Sequence, residues 1–220
     1  MSQLEGILAK IPDESEEDID ISDMKLGDSG VVQISEAIEK GTSATQLYFD
    51  GNEITHVGCK ALCKALAGTG IMTVSLLQNQ IGDDGAVEIG ELLSKNAFLK
   101  EVDLRDNQIG DKGAAKLAEA LESNSTLTRL YLKDNDITNE GALLLAAAVR
   151  NNMTLVQLDI EANAIEQEGV SALLQAAEMM KKEITCGYQK VGFRKTGYKK
   201  EGTPTDVVES ASQGMVFASR

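Results

Sequence analysis

The chain has 220 residues with 35 acidic against 21 basic side chains, a formal net charge of −14, which argues against a nucleic-acid partner because phosphate needs cations. An apolar content of 42% and a charged content of 25% are those of a folded domain rather than a disordered one. The longest apolar run, Ala142 to Val149, is far too short to span a membrane.

In chain order, Leu4, Ile7, Leu8 and Ile11 stand at helical spacing and Pro12 stops the run. Residues 1–15 are therefore predicted to hold a capping helix and the start of an acidic linker. The same helix could instead dock a partner. The stretch Asp13, Glu14, Glu16, Glu17, Asp18 and Asp20 follows, and residues 1–30 carry nine acids and two bases. Residues 1–10 lack the basic start and long apolar core of a secretory signal. With an odd number of cysteines (Cys59, Cys63 and Cys186), this points away from a disulfide framework and toward the cytoplasm.

Residues 16–180 repeat. Asn52, Asn79, Asn107, Asn135 and Asn163 recur at a spacing of 27 and then 28 residues. Ahead of them stand Leu47-x-Phe49, Val74-x-Leu76, Val102-x-Leu104, Leu130-x-Leu132 and Leu158-x-Ile160. Behind them come Ile54, Ile81, Ile109, Ile137 and Ile165, and then Gly58, Gly85, Gly113, Gly141 and Gly169. A degenerate first unit has Ile19-x-Ile21 and places Met24 in the asparagine column, which makes about six units.

Each column has a physical reason. The alternating stretch is a short strand with one apolar face. The asparagine marks the turn out of the strand, where its amide can satisfy buried backbone groups and form a ladder between units. Asp28, His56, Asp83, Asp111, Asn139 and Gln167 share the next column, and four of these six are good helix N-caps. The glycine after it lets one helix start pack close to its neighbour. Beyond it the spacing turns helical, as in Gly113, Leu117 and Leu121. Strands stack at roughly 4.8 Å and packed helices at about 8–10 Å, so the array must curve with its parallel sheet inside.

A unit such as Leu99-Lys-Glu-Val-Asp-Leu104-Arg-Asp-Asn107-Gln-Ile109-Gly-Asp-Lys-Gly113 resembles the ribonuclease-inhibitor type of leucine-rich repeat. The resemblance implies an α/β leucine-rich-repeat solenoid, a curved arc with the sheet on the concave face and helices on the convex face. It implies protein binding rather than catalysis, and leaves three readings. The first is a scaffold or adaptor for a protein partner. The second is a cytoskeletal subunit on actin or axonemal microtubules, since relatives include tropomodulins and axonemal proteins. The third is a regulator of a small GTPase resembling Ran activators.

Residues 181–220 are predicted to open with an edge strand, Ile184 to Tyr188, over the exposed core. A basic tail follows, in which Lys190, Phe193, Arg194, Lys195, Tyr198, Lys199 and Lys200 interleave aromatic rings with bases. Residues 181–200 hold seven bases and one acid. The tail reads as a soluble extension, as a docking arm for an acidic protein surface, or as one for RNA or anionic lipid.

Strand period two fixes the outward positions of the sheet as Asp18, Asp20, Ser22; Gln46, Tyr48, Asp50; Thr73, Ser75, Leu77; Glu101, Asp103, Arg105; Arg129, Tyr131, Lys133; and Gln157, Asp159, Glu161. Tyr48, Asp50, Leu77, Asp103, Arg105, Arg129, Tyr131, Lys133 and Asp159 are the candidate partner-binding residues. Two of the chain's four tyrosines stand there, either as interface anchors or merely stacked on their neighbours. Arg105, Arg129 and Lys133 are expected to form a basic patch.

Sites for chemistry are hard to build. His56, Cys59 and Cys63 share a helix face, but the cysteines align with alanine and glycine columns of other units, which marks them as small core residues. Asp134-x-Asp136-x-Thr138 starts like a calcium loop, but Asn139 and Leu145 replace the glycine and glutamate it needs. No phosphate loop occurs, and a catalytic pair would have to use the lone His56. The expectation is a non-enzyme without cofactor or metal.

Overall fold

The structure, a computed structural model, describes residues 3–11 and 17–186. Helix α1 (Gln3–Lys10) comes first and strands and helices then alternate: β1 (Asp18–Asp20), α2 (Gly27–Glu39), β2 (Gln46–Tyr48), α3 (His56–Leu66), β3 (Thr73–Ser75), α4 (Gly82–Leu93), β4 (Glu101–Asp103), α5 (Asp111–Ser123), β5 (Arg129–Tyr131), α6 (Asn139–Asn151), β6 (Gln157–Asp159), α7 (Gln167–Met180) and β7 (Glu183–Thr185). The strands form one parallel sheet in the order of the sequence. Strand centres Ile19, Leu47, Val74, Val102, Leu130 and Leu158 point inward and are buried, and the helices pack over them as the outer layer. Among the described residues no helix is long and apolar enough to cross a membrane.

Both ends of the core are covered. Leu4, Ile7 and Leu8 of α1 pack against it at the first unit, and Ile11 is buried. At the far end β7 adds a seventh strand, with Ile184 against the core and Cys186 buried behind it. The strand expected at Ile184 to Tyr188 thus starts one residue earlier, and residues 187 and 188 lie outside the described residues.

The asparagine column forms the ladder its spacing implies. Asn79 Oδ1 accepts from the backbone N–H groups of Asn52 and Ile54, each at 3.0 Å. Its Nδ2 donates to the carbonyls of Phe49 at 3.0 Å, Leu76 at 2.9 Å and Leu77 at 3.1 Å. One carboxamide therefore bridges two units, and Asn52, Asn107, Asn135 and Asn163 repeat the pattern. Each reaches back to the unit before it. The first unit has no repeat before it, so Met24 in that column gives up no bond between units; its own N–H is taken by Asn52.

A second ladder runs through the helix-to-strand connections. Asn124 Nδ2 donates to the Leu93 carbonyl at 2.7 Å while its Oδ1 accepts from the N–H groups of Thr126 and Leu127. Asn96 and Asn152 do the same in their units. The Nδ2 atoms of Asn124 and Asn152 are thus engaged inside the fold. The residue missing from the second unit falls in the α3–β3 connection, where Gly68-Thr69-Gly70 stands without such an asparagine. The last unit ends the ladder with Lys182, whose Nζ donates to the carbonyls of Val149 and Asn152.

The column from Asp28 to Gln167 requires a correction. These residues do not cap their own helices, because each already lies in its helix's first turn. The N-caps lie one residue earlier, as Thr55, Gly110 and Thr138, or two residues earlier, as Leu26 and Ile81. The acids instead accept hydrogen bonds from the next unit. Asp111 takes the N–H of Thr138 at 2.8 Å, the Thr138 hydroxyl at 2.6 Å and the N–H of Gly141 at 3.0 Å. Asp28, Asp83 and Asn139 do likewise for the helices after theirs. The glycine column allows this approach, since a Cβ on Gly141 would stand 2.7 Å from Asp111 Oδ1 and 2.9 Å from the Ala114 Cβ.

Replacing Asn79 by Ala removes five bonds and strands buried donors and acceptors, so a loss of about 3 kcal/mol is expected in urea unfolding. Met24→Asn should change little. A cost for Asn79→Ala below about 1 kcal/mol would mean the ladder does not hold the units together.

Candidate functional site

The strand register aligns the outward residues into columns. The central column reads Asp20, Tyr48, Ser75, Asp103, Tyr131, Asp159 and Thr185. The column before it reads Asp18, Gln46, Thr73, Glu101, Arg129, Gln157 and Glu183. The column after it holds Ser22, Asp50, Leu77, Arg105, Lys133 and Glu161, with the ladder carried on by bonds such as Gly51 N–H to the Leu77 carbonyl. All nine candidate residues therefore share one face. Asp103 is buried, Arg129 is exposed, and the other seven are half-buried. Glu183 and Thr185 join this face too; the signal was the polar residue on each side of Ile184.

The bases do not form a free patch. Arg129 Nε bonds Glu101 Oε2 at 2.7 Å, and Lys133 Nζ meets Glu161 Oε2 at 3.2 Å, each pair lying in one column on adjacent strands. Arg105 pairs with Asp103, with its Nε 2.9 Å from both carboxylate oxygens, and its guanidinium lies 5.5 Å from the centre of the Tyr131 ring. Each base on the β4–β6 half of the face is thus paired with an acid of that face, and Asp159 is the one acid there outside these ion pairs.

The β1–β3 half is different. The Tyr48 hydroxyl donates to Gln46 Oε1 at 2.8 Å, and Gln46 donates to Asp18 at 2.6 Å. Asp20 accepts from Ser22, and Asp50 accepts from the Ser75 hydroxyl at 2.5 Å and the Leu77 N–H at 3.1 Å. Among the described residues no base forms an ion pair with Asp18, Asp20 or Asp50. Burial, helped by the charges of Asp18, Glu101, Asp20 and Asp50, pushes the Tyr48 phenol above its usual range. Burial also raises the Asp50 carboxyl, against the hydrogen bond from Ser75, and raises Asp159.

Elsewhere, His56 is exposed in the first turn of α3, whereas Cys59 and Cys63 are packed in the core as small side chains. Among the described residues no three metal-capable groups come together. A groove of about 600 Å³ lies on the convex side between α3 and α4, with Val57, Ala61 and Leu92 on its walls and Cys63 at its lining. Lys190, Phe193, Arg194, Lys195, Tyr198, Lys199 and Lys200 lie outside the described residues.

One strand and one helix per turn, a single sequential parallel sheet and an internal asparagine ladder define a repeat solenoid. Residues 95–118, 123–146 and 151–174 match the family model described as leucine rich repeat. The fold is that of a leucine-rich-repeat solenoid. Similar solved structures include one described as leiomodin-1 actin-binding site 2, at 17% identity and a TM-score of 0.54, covering 83% of this chain and 90% of that one. The tropomodulin C-terminal domain of Caenorhabditis elegans is similar at 14% identity and a TM-score of 0.55, covering 82% of this chain and 94% of that one. No curated protein sequence matches the chain.

The raised Asp50 carboxyl carries a pH signature. A carboxyl that folding raises favours the folded state when protonated, so its contribution is fully present below the ordinary carboxylate range and is lost as pH rises through the raised value. Asp50→Asn keeps an oxygen acceptor and removes that loss. The variant should be at least as stable as the parent at neutral pH, its advantage fading as pH falls toward about 4, in unfolding curves taken across pH. A gap that widens on acidification would contradict this account of Asp50.

Proposed function

We propose that this chain is a non-enzymatic scaffold that grips a protein partner through the concave sheet face. The observation that carries the reading is the outer face of the seven-stranded sheet itself. Its columns present two tyrosines, a leucine and charged groups at fixed spacing, and no described element lies over them. Half-buried aromatic side chains on a rigid platform supply contact area at low entropic cost. Tyr48, Asp50, Leu77, Asp103, Arg105, Arg129, Tyr131, Lys133 and Asp159 are the residues assigned to it. The basic tail is the other candidate contact, and a cytoplasmic setting fits the reading.

A cytoskeletal partner is the second reading. A protein described as an actin-binding site shares the fold over most of both chains. Co-sedimentation of this chain with actin filaments and with microtubules tests it. A pellet containing the protein supports the reading, and a protein that stays in the supernatant with both filaments removes it.

For the principal reading, a partner captured from native extract by the full chain should bind Tyr48→Ala at least about tenfold more weakly, with folding unchanged. Charge reversal of Arg129 and Lys133 should weaken it as well. Leu144→Ala on the convex face is the control and should bind as the parent does. Unchanged affinity in both concave variants would move the interface off the sheet.

A further inference from the structure

The two halves of the concave face differ in one respect that bears on what lies against it. On β4–β6 each base is paired with an acid of the same face. On β1–β3 Asp18, Asp20 and Asp50 surround the Tyr48 ring with no cation of the described chain in an ion pair with them. Carboxylates grouped around a half-buried aromatic ring suit the ammonium or guanidinium of a lysine or arginine, which can pair with the former while covering the latter.

The chain carries such groups itself. Residues 187–200 contain Lys190, Arg194, Lys195, Lys199 and Lys200 and no acid. All strands run parallel, so the chain leaves β7 at the sheet edge where Asp50 and Leu77 lie. Five strand spacings separate β7 from β2, about 24 Å. Nine residues of extended chain from Cys186 to Lys195 reach about 30 Å, and fourteen to Lys200 reach about 46 Å. The bases that can arrive at Tyr48 are therefore Arg194, Lys195, Lys199 and Lys200, of which the three lysines carry an amine that can be coupled, while Lys190 falls short. Covalent attachment gives these lysines an effective concentration on the order of millimolar at the face. A contact far too weak to persist between separate molecules is then occupied within one.

We propose that the lysines of segment 195–200 dock on the β1–β3 half of the concave face, on Asp18, Asp20, Asp50 and Tyr48 of the same molecule. The segment then lies on the surface assigned above to a partner, and a partner displaces it. This rests on the concave-face reading, but its test does not use a partner.

The test is zero-length carbodiimide coupling of the full chain at low concentration, read by peptide mass spectrometry. The reagent activates a carboxyl and condenses it with a lysine amine, expelling the carboxyl oxygen into the urea by-product. The expected result is amide bonds within monomers from Lys195, Lys199 or Lys200 to Asp18, Asp20 or Asp50. Their yield should fall at least about fivefold at about 1 M salt, where charge attraction is screened. Tyr48→Ala, which leaves every carboxyl in place, should lower the yield as well. Tail cross-links confined to convex or loop acids would overturn the proposal. So would cross-links found only between molecules and rising with concentration, which would make the occupant a second copy. If the segment fails to couple here while a partner still depends on Tyr48, the docking inference falls and the concave-face reading stands.

Discussion

A buried carboxamide that belongs to two units at once is the constraint on which this molecule depends. A parallel strand of three residues cannot hold its register alone, and the chain must turn inward directly after it. The asparagine at that turn donates to carbonyls of its own and the preceding unit and accepts N–H groups from the preceding one. The register of the sheet follows from it, and from the register follows every column on the concave face. The layout of the concave face is thus set by buried residues that are not part of it.

The helical layer is tied by a different device. Asp28, Asp83, Asp111 and Asn139 each take N–H groups from the first turn of the following helix. For Asp28, burial raises the carboxyl, but the hydroxyl and N–H of Thr55 and the N–H of Gly58 outweigh it and hold the carboxyl below its usual value. The ladder is interrupted where His56 occupies the column, and Ile81 before α4 has no side-chain cap. The shortened α3–β3 connection lies in the same unit, and the convex groove lies between its α3 and the next unit's α4. The second unit is where the repeat departs most from its neighbours.

Much of this was legible in the sequence. The asparagine column and the strand period together place every outward residue, and the register confirms their columns. The partners of Asp28 and Asp111 were not legible, because bonds spanning 27 to 30 residues leave no local signature and an acid at a helix start looks like a cap. The pairing of the bases on the face was within reach. Glu101 and Arg129 are 28 residues apart in one column, as are Lys133 and Glu161, and comparing columns across strands pairs them. The second ladder showed as Asn96, Asn124 and Asn152 at the repeat spacing, but such residues in a connection resemble ordinary turn formers. The tail segment has no repeat to be read against.

The ladder's role is tested most directly by native-state hydrogen exchange of asparagine side-chain amides, followed by NMR. The Nδ2 protons of Asn79, Asn107, Asn135 and Asn163 should exchange as slowly as the slowest strand amides, because releasing them requires separating two units. Exposed Asn151 supplies the fast reference. If the ladder amides exchange at the rate of Asn151, their bonds open without the solenoid opening. The asparagines would then decorate a register set by other contacts.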